Sequence, residues 1–215
     1  IGLLAGAGLM LAAHAAQATP SLTFDVSVWN AATLNSTSTS PSQQALPTNP
    51  VISSGNLAST FTFTGLPEWA VSSQPNNQLG TFINSGGGTV SGQQFFNGQS
   101  NSMVLSTSNF ASVSVFELEF TTTHSLSGTI AHDDGIGLFT SGGTYITGDT
   151  APTSVVDTNF SIGPGSYDLV YVEANGAPSD LVFSNVAVPE PESIALFGMG
   201  LLGLSVLTML RRSRT

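Results

Sequence analysis

Residues 21–29, SLTFDVSVW, alternate so strictly that Leu22, Phe24, Val26 and Val28 fall on one face of an extended chain. That period of two belongs to a half-buried strand and cannot serve a helix, whose faces repeat every 3.6 residues. The same signal returns at 58–64, where Phe61 and Phe63 share a face, and again at 102–107, 111–123, 126–131, 135–140, 166–174 and 180–188. Between the chain's two ends no window has a convincing helical period. About eight strands joined by Gly, Asn, Ser and Pro turns predict an all-β fold, a single β-sandwich or barrel domain over residues 19–188.

Composition supports a folded middle. Only 7% of residues are charged, yet 40% are hydrophobic, and 13 Phe with 2 Trp and 3 Tyr suffice for a core. The chain has no cysteine, so neither disulfides nor thiolate metal sites hold it together. Its net charge of −10, with no lysine, excludes nucleic acid as a partner, because a polyanion needs a basic footprint. Residues 35–56 and the run Ser85-Gly86-Gly87-Gly88 are poor in large apolar side chains and read as long surface loops.

The ends carry a different message. Residues 1–18 run apolar as far as Ala13 and close on Ala16-Gln17-Ala18, the small-x-small pattern of a signal-peptidase site. They read as a signal peptide truncated at its start; the competing reading is a buried N-terminal helix. At the other end, residues 194–210 hold 17 uncharged positions, about 25 Å of helix against a hydrocarbon core of about 30 Å, enough for a short transmembrane helix. Gly198, Gly200 and Gly203 are tolerated better in such a span than in a soluble helix. The chain's only basic residues, Arg211, Arg212 and Arg214, follow immediately and read as a stop-transfer flank that keeps the tail's end cytoplasmic and residues 19–188 outside.

Pro189-Glu190-Pro191, then a short hydrophobic helix, then an arginine cluster resembles the PEP-CTERM sorting signal of exopolysaccharide-producing Gram-negative bacteria. The resemblance covers 189–215. It implies processing by a membrane protease of the exosortase type, a precursor anchored in the inner membrane through 194–210, and a final place at the cell surface or in an extracellular matrix beside exopolysaccharide or another glycan. Proline on both sides of Glu190 favours an extended backbone, the form a protease binds. An ordinary C-terminal anchor with a Pro-rich spacer is the plainer reading. A cut near Pro189 leaves 11 carboxylates and no Lys or Arg.

Within 111–123 the apolar parity switches from Val113 and Val115 to Phe116, Leu118 and Phe120, which a β-bulge near Val115 would explain. Glu117 and Glu119 then share the outward face, their Cα atoms about 6.6 Å apart at 3.3 Å per residue. That spacing is compatible with a glycosidase acid and base, although two glutamates on a solvated face are far commoner, and no catalytic residue is assigned.

His132-Asp133-Asp134-Gly135 is the most distinctive local cluster. If Leu126 and Ile130 point inward, His132 shares their face and Asp133 points outward. Adjacent carboxylates repel unless solvent, backbone N–H groups or a cation neutralise them, and hard oxygens at such a turn suit Ca²⁺. A tight Asp-Gly hairpin turn is the alternative.

FELEF, HDDGIGLFTSGG and GPGSYDLVYVEANGAPSDLVFSN, over about 116–185, resemble a PA14-type β-sandwich domain. In carbohydrate-binding members of that family paired aspartates hold a calcium ion that binds sugar hydroxyls. The resemblance transfers that role to Asp133 and Asp134, with Asn175 as the assisting loop residue. The chain departs from the family at Thr140-Ser141-Gly142, where Ile/Val-Asp-Gly is usual. Three functions follow: an exported carbohydrate-binding surface protein, a secreted glycosidase-like hydrolase, or a structural matrix protein with no ligand. Against the hydrolase, only His124 and His132 remain after export, and neither a Gly-x-Ser-x-Gly elbow nor a zincin histidine pair occurs.

Overall fold

The computed structural model describes residues 20–188. The signal peptide at 1–18, the sorting motif Pro189-Glu190-Pro191, the span at 194–210 and Arg211, Arg212 and Arg214 all lie outside the described residues.

Eleven strands form two antiparallel sheets. They are β1 (Thr23–Ala32), β2 (Leu57–Gly65), β3 (Glu68–Val71), β4 (Gly88–Phe95), β5 (Ser112–Thr122), β6 (Leu126–Asp133), β7 (Gly135–Thr140), β8 (Tyr145–Asp149), β9 (Val156–Ile162), β10 (Gly165–Glu173) and β11 (Ser179–Ala187), with one short helix, α1 (Leu79–Ile83). The seven-stranded sheet runs β4-β2-β1-β5-β10-β7-β8, and the four-stranded sheet runs β3-β11-β6-β9. The all-β sandwich expected from the alternation is the fold observed.

The inner faces meet over an aromatic core. Phe24, Phe63, Trp69, Phe82, Phe116 and Tyr171 are fully buried there, and the Phe63 ring sits edge-on to Trp69 at 4.9 Å. Burying each such side chain stabilises the fold by roughly 1.5–3 kcal/mol, and the edge-to-face geometry adds to that. This core draws on residues from Leu22 to Phe183, so it closes within the described residues.

Four expectations need correcting. Residues 102–107 form no strand; only isolated bridges, Gln78 to Val104 and Thr107 to Ser112, occur there. The four strands absent from the alternation reading, β3, β4, β8 and β9, are the four sheet edges. No bulge occurs near Val115: β5 pairs in unbroken register with β1 and with β10. The parity switches because β5 is buried on both faces. Phe116, Leu118 and Phe120 face the inner core, whereas Val113 and Val115 join a second core with Trp29, Phe139, Val170 and Val172.

Segment 35–56, expected as surface loop, covers that second core. Gln43, Ala45, Asn49 and Val51 are buried within it. A buried loop must satisfy its own backbone. Asn49 does so, donating Nδ2 to the carbonyls of Ser42 and Gln44 and accepting the Val51 N–H at Oδ1, while Ala45 N–H donates to the Thr150 carbonyl.

Candidate functional site

β6 belongs to one sheet and β7 to the other, so Asp133-Asp134 is where the chain crosses between them rather than a hairpin turn. The two aspartates are joined by a cis peptide bond. Gly135 is required by close approach: a Cβ there would meet the Thr150 carbonyl oxygen at 2.5 Å. His132 is buried, as expected, on the face of Leu126 and Ile130. Its Nδ1–H donates to the Asp134 carbonyl at 2.6 Å, and Nε2 accepts from the Thr158 hydroxyl at 2.9 Å. Burial holds its pKa below the ordinary value, so the ring is neutral and fixes the crossing.

Asp133 does not reach open solvent: it is 7% exposed and Asp134 3%. Asp134 Oδ2 accepts the N–H groups of Ala174 at 2.8 Å and Asn175 at 3.0 Å. Its carboxylate also takes the Thr153 N–H, and Asp133 takes that of Val155. Burial, aided by Asp134 and Asp180, pushes Asp133 up to about 7. Burial also pushes Asp134 up to about 6, against the pull of its backbone donors. Asp180 is the register partner of Asp133 on β11.

Beneath the pair lies a buried polar network. Tyr171 Oη contacts the Asp133 carbonyl oxygen and lies 3.0 Å from Glu173 Oε2. Glu173 Oε1 accepts from the Ser106 hydroxyl at 2.6 Å and from Asn77 Nδ2 at 3.2 Å. The phenol has one hydrogen and cannot donate to both oxygens. Burial and Asp134 hold the Glu173 carboxyl well above its usual range. A Glu173 carboxyl that keeps its proton can donate to Tyr171 Oη and leave the phenol to donate to Asp133. Tyr171 and Glu173 lie within GPGSYDLVYVEANGAPSDLVFSN, one of the stretches that carry the family resemblance. Asn77 and Ser106 had no local signal.

The carboxylates border a depression of about 370 Å³ lined also by Phe110, Thr153, Asn175 and Pro178. The structure thus brings Asn175 to Asp133 and Asp134, although its Oδ1 accepts the Asn109 N–H at 3.1 Å. Among the described residues no three Asp, Glu, His or Cys side chains gather into a ready-made metal site.

A second acidic group lies on the outer face of the seven-stranded sheet. Asp25, Glu119 and Asp168 are register partners across β1, β5 and β10, and they line a broad depression of about 580 Å³. Glu117 and Glu119 share this face as expected, Glu119 exposed and Glu117 half-buried. Burial, with Asp168 and Glu119 adding repulsion, pushes Glu117 up to about 7. Asp168 is pushed up to about 6 by burial and Glu119.

Residues 187–213 match the PEP-CTERM protein-sorting motif. The chain carries a PEP-CTERM sorting signal. Such a signal indicates export through a membrane-anchored precursor. The sandwich is similar to the PA14 sugar-binding domain from an RTX adhesin, with 14% sequence identity, a TM-score of 0.51, and coverage of 78% of this chain and 98% of that one. The PA14 domain of the MpAFP antifreeze protein is a further structural neighbour, with 16% identity, a TM-score of 0.45, and coverage of 82% and 92%. No curated protein matches the sequence. The likeness to the RTX adhesin domain gives the sandwich a PA14-type fold, and at 14% identity it establishes architecture alone.

Proposed function

We propose that this chain is an exported, non-enzymatic protein of the cell surface or extracellular matrix that binds neutral glycans through a calcium ion held by Asp133 and Asp134. One observation carries the reading: two adjacent carboxylates, buried beside a depression and gripped by backbone N–H groups, in a domain with no Lys or Arg before Arg211 to offset them. The donor chemistry fits, since hard oxygens held by a rigid backbone are what Ca²⁺ takes. Asp133 and Asp134 would hold the ion, Asn175 would assist, and carbonyl, water or sugar oxygens would complete the shell. Calcium, when bound, supplies the positive charge to which sugar hydroxyls coordinate. The backbone donors of Ala174, Asn175 and Thr153 orient Asp134, and Tyr171 anchors the Asp133 carbonyl. Phe110 and Pro178 wall the depression.

The acidic ectodomain repels acidic polysaccharides, which directs it to neutral sugars. A glycan array with residues 20–188 tests this: binding is expected in calcium and absent in chelator. Equal binding in chelator refutes the aspartate mechanism, and no binding at all favours a structural matrix protein.

The tail makes the precursor a substrate for an exosortase-type protease. Replacing Pro189-Glu190-Pro191 with alanines is expected to preserve export and block tail removal, read by mass spectrometry of the mature protein. Finding Arg211, Arg212 and Arg214 in wild-type protein released from cells overturns processing.

A further inference from the structure

Between Asp25 and Glu117 the only ionisable side chain is Glu68. The sheet order places two strands of this sparsely charged stretch, β2 and then β4, at one end of the seven-stranded sheet. The remaining acids sit on β1, β5, β6, β8, β9, β10 and β11 or the Asp134 crossing. β4 itself carries no charge; the carboxylates nearest it are Glu68, against the turn that leads into it, and Asp25 and Glu119, which share a depression with Gly92 and Gln94.

That end finishes in an open strand edge. The other three edges are covered. β8 lies against β9, with the Thr147 hydroxyl donating to the Asn159 carbonyl. β3 is capped by the turn before β4: Ala70 N–H donates to Ser85 Oγ, and Gly87 approaches so closely that a Cβ would meet the Leu66 carbonyl oxygen at 2.0 Å. β4 pairs only with β2. Six of its eight residues are exposed, Phe95 is 38% exposed, and the strand carries neither charge nor proline, two devices that usually guard an edge. Its one irregularity is a register shift opposite Thr60 and Thr62, at Gly92 with φ +63°.

We infer that β4 is a self-association edge through which two copies of this chain pair antiparallel across a two-fold axis, joining their seven-stranded sheets. Charge selects the occupant. Two acidic copies repel along every approach that brings carboxylates together, and least when one uncharged β4 edge meets the other. A strand edge is self-complementary under a two-fold, so one sequence supplies both halves. The contact is smaller than a standard interface of about 1,600 Å². The dimer is accordingly concentration-dependent, forming where secreted protein accumulates.

The test is light scattering on residues 20–188, in chelator so that no metal bridge contributes, from about 1 μM to about 1 mM, a range that brackets weak association. The mass is expected to rise from monomer towards dimer. Thr89→Glu with Gln94→Glu, both on exposed β4 positions, should weaken association at least tenfold, whereas Ser141→Glu, in the turn beyond β7, should not. Because the chain has no cysteine, Ser91→Cys gives an independent reading that does not depend on added charge. Mild oxidation should trap a covalent dimer of Ser91→Cys but not of Ser141→Cys. Monomer at every concentration overturns the proposal. So does a dimer indifferent to the β4 charges, or equal trapping of both cysteine variants.

Discussion

Two acidic groups sit on this molecule, and their surroundings differ in kind. Asp133 and Asp134 lie at the crossing between sheets, buried, with backbone N–H groups of Thr153, Val155, Ala174 and Asn175 directed at their oxygens. Asp25, Glu117, Glu119 and Asp168 lie on the outer face of continuous strands, where the backbone N–H groups are committed to the ladder. The Thr62 hydroxyl donates to Asp25 Oδ1 at 3.2 Å. Asp133 and Asp134 in the first group, and Glu117 and Asp168 in the second, carry raised pKa values, and burial is the leading cause for all four. The difference is that irregular backbone supplies oriented donors that fix carboxylates in place, and a regular strand cannot. The first arrangement is the one proposed to receive a cation; the second is repulsion spread over a sheet.

The largest expected effect tests that contrast. Calcium binding only the folded state stabilises it by about 2.7 kcal/mol at a hundredfold excess over Kd. Wild-type residues 20–188 should show that gain in a melting experiment, and Asp133→Asn with Asp134→Asn should abolish it. Asp25→Asn with Asp168→Asn should leave the gain intact. A wild type indifferent to millimolar calcium, or a calcium response lost with the outer-face pair, collapses the distinction.

Much of this contrast could be read from residues alone, and its limits are physical. The interior strands β1, β2, β5, β6, β7, β10 and β11 were legible because one face of each packs on the inner core, so alternation survives. The four edges were not: β4, for example, has no buried residue to mark a face. Segment 35–56 misled because its burial uses Ala45 and Val51, with buried polar Gln43 and a self-satisfied Asn49, rather than large apolar side chains. That segment, in turn, is what makes Val113 and Val115 look like a bulge. Asp133 and Asp134 were legible as a pair of carboxylates before glycine. Their donors were not, since a backbone N–H at Thr153 or Ala174 leaves no trace in residue identity. Asn77 and Ser106 reach Glu173 only through the folded topology.

The next effect separates the two groups by pH. Glu117 moves from 4.5 to about 7 on folding and Asp168 from 3.8 to about 6. Folding therefore takes up protons, so the stability these groups contribute is complete below their unfolded values and is lost as pH rises through about 6 and 7. In chelator, Asp133 and Asp134 act in the same direction. Glu117→Gln should flatten the fall in melting temperature between pH 4.5 and 7 and raise the melting temperature at pH 8, with or without calcium. Calcium should reverse only the contribution of Asp133 and Asp134, because it binds their deprotonated form and so stabilises more as pH rises. A Glu117→Gln variant as steep as wild type removes the outer face from the account.

The smallest effect concerns Phe110, which walls the depression beside the sheet-crossing pair. Phe110 has φ +56° and follows Asn109 at φ +63°, a left-handed conformation that costs a bulky residue about 1–2 kcal/mol. Its neighbours hold it there: the Thr33 hydroxyl donates to the Phe110 carbonyl at 2.7 Å, and Asn109 N–H donates to Asn175 Oδ1. The half-buried ring packs on the second core while lining the depression. Phe110→Ala loses the ring and keeps the strain, whereas Phe110→Gly loses the ring and releases it. Glycine's own flexibility in the unfolded chain offsets part of that relief, so the glycine variant should melt above the alanine variant by about 0.5–1 kcal/mol equivalent. Both should keep the calcium gain, since neither touches the aspartates, and both should bind glycan more weakly than wild type. If the alanine variant is the more stable, the neighbours impose no strain at Phe110, and the wall is an ordinary piece of packing.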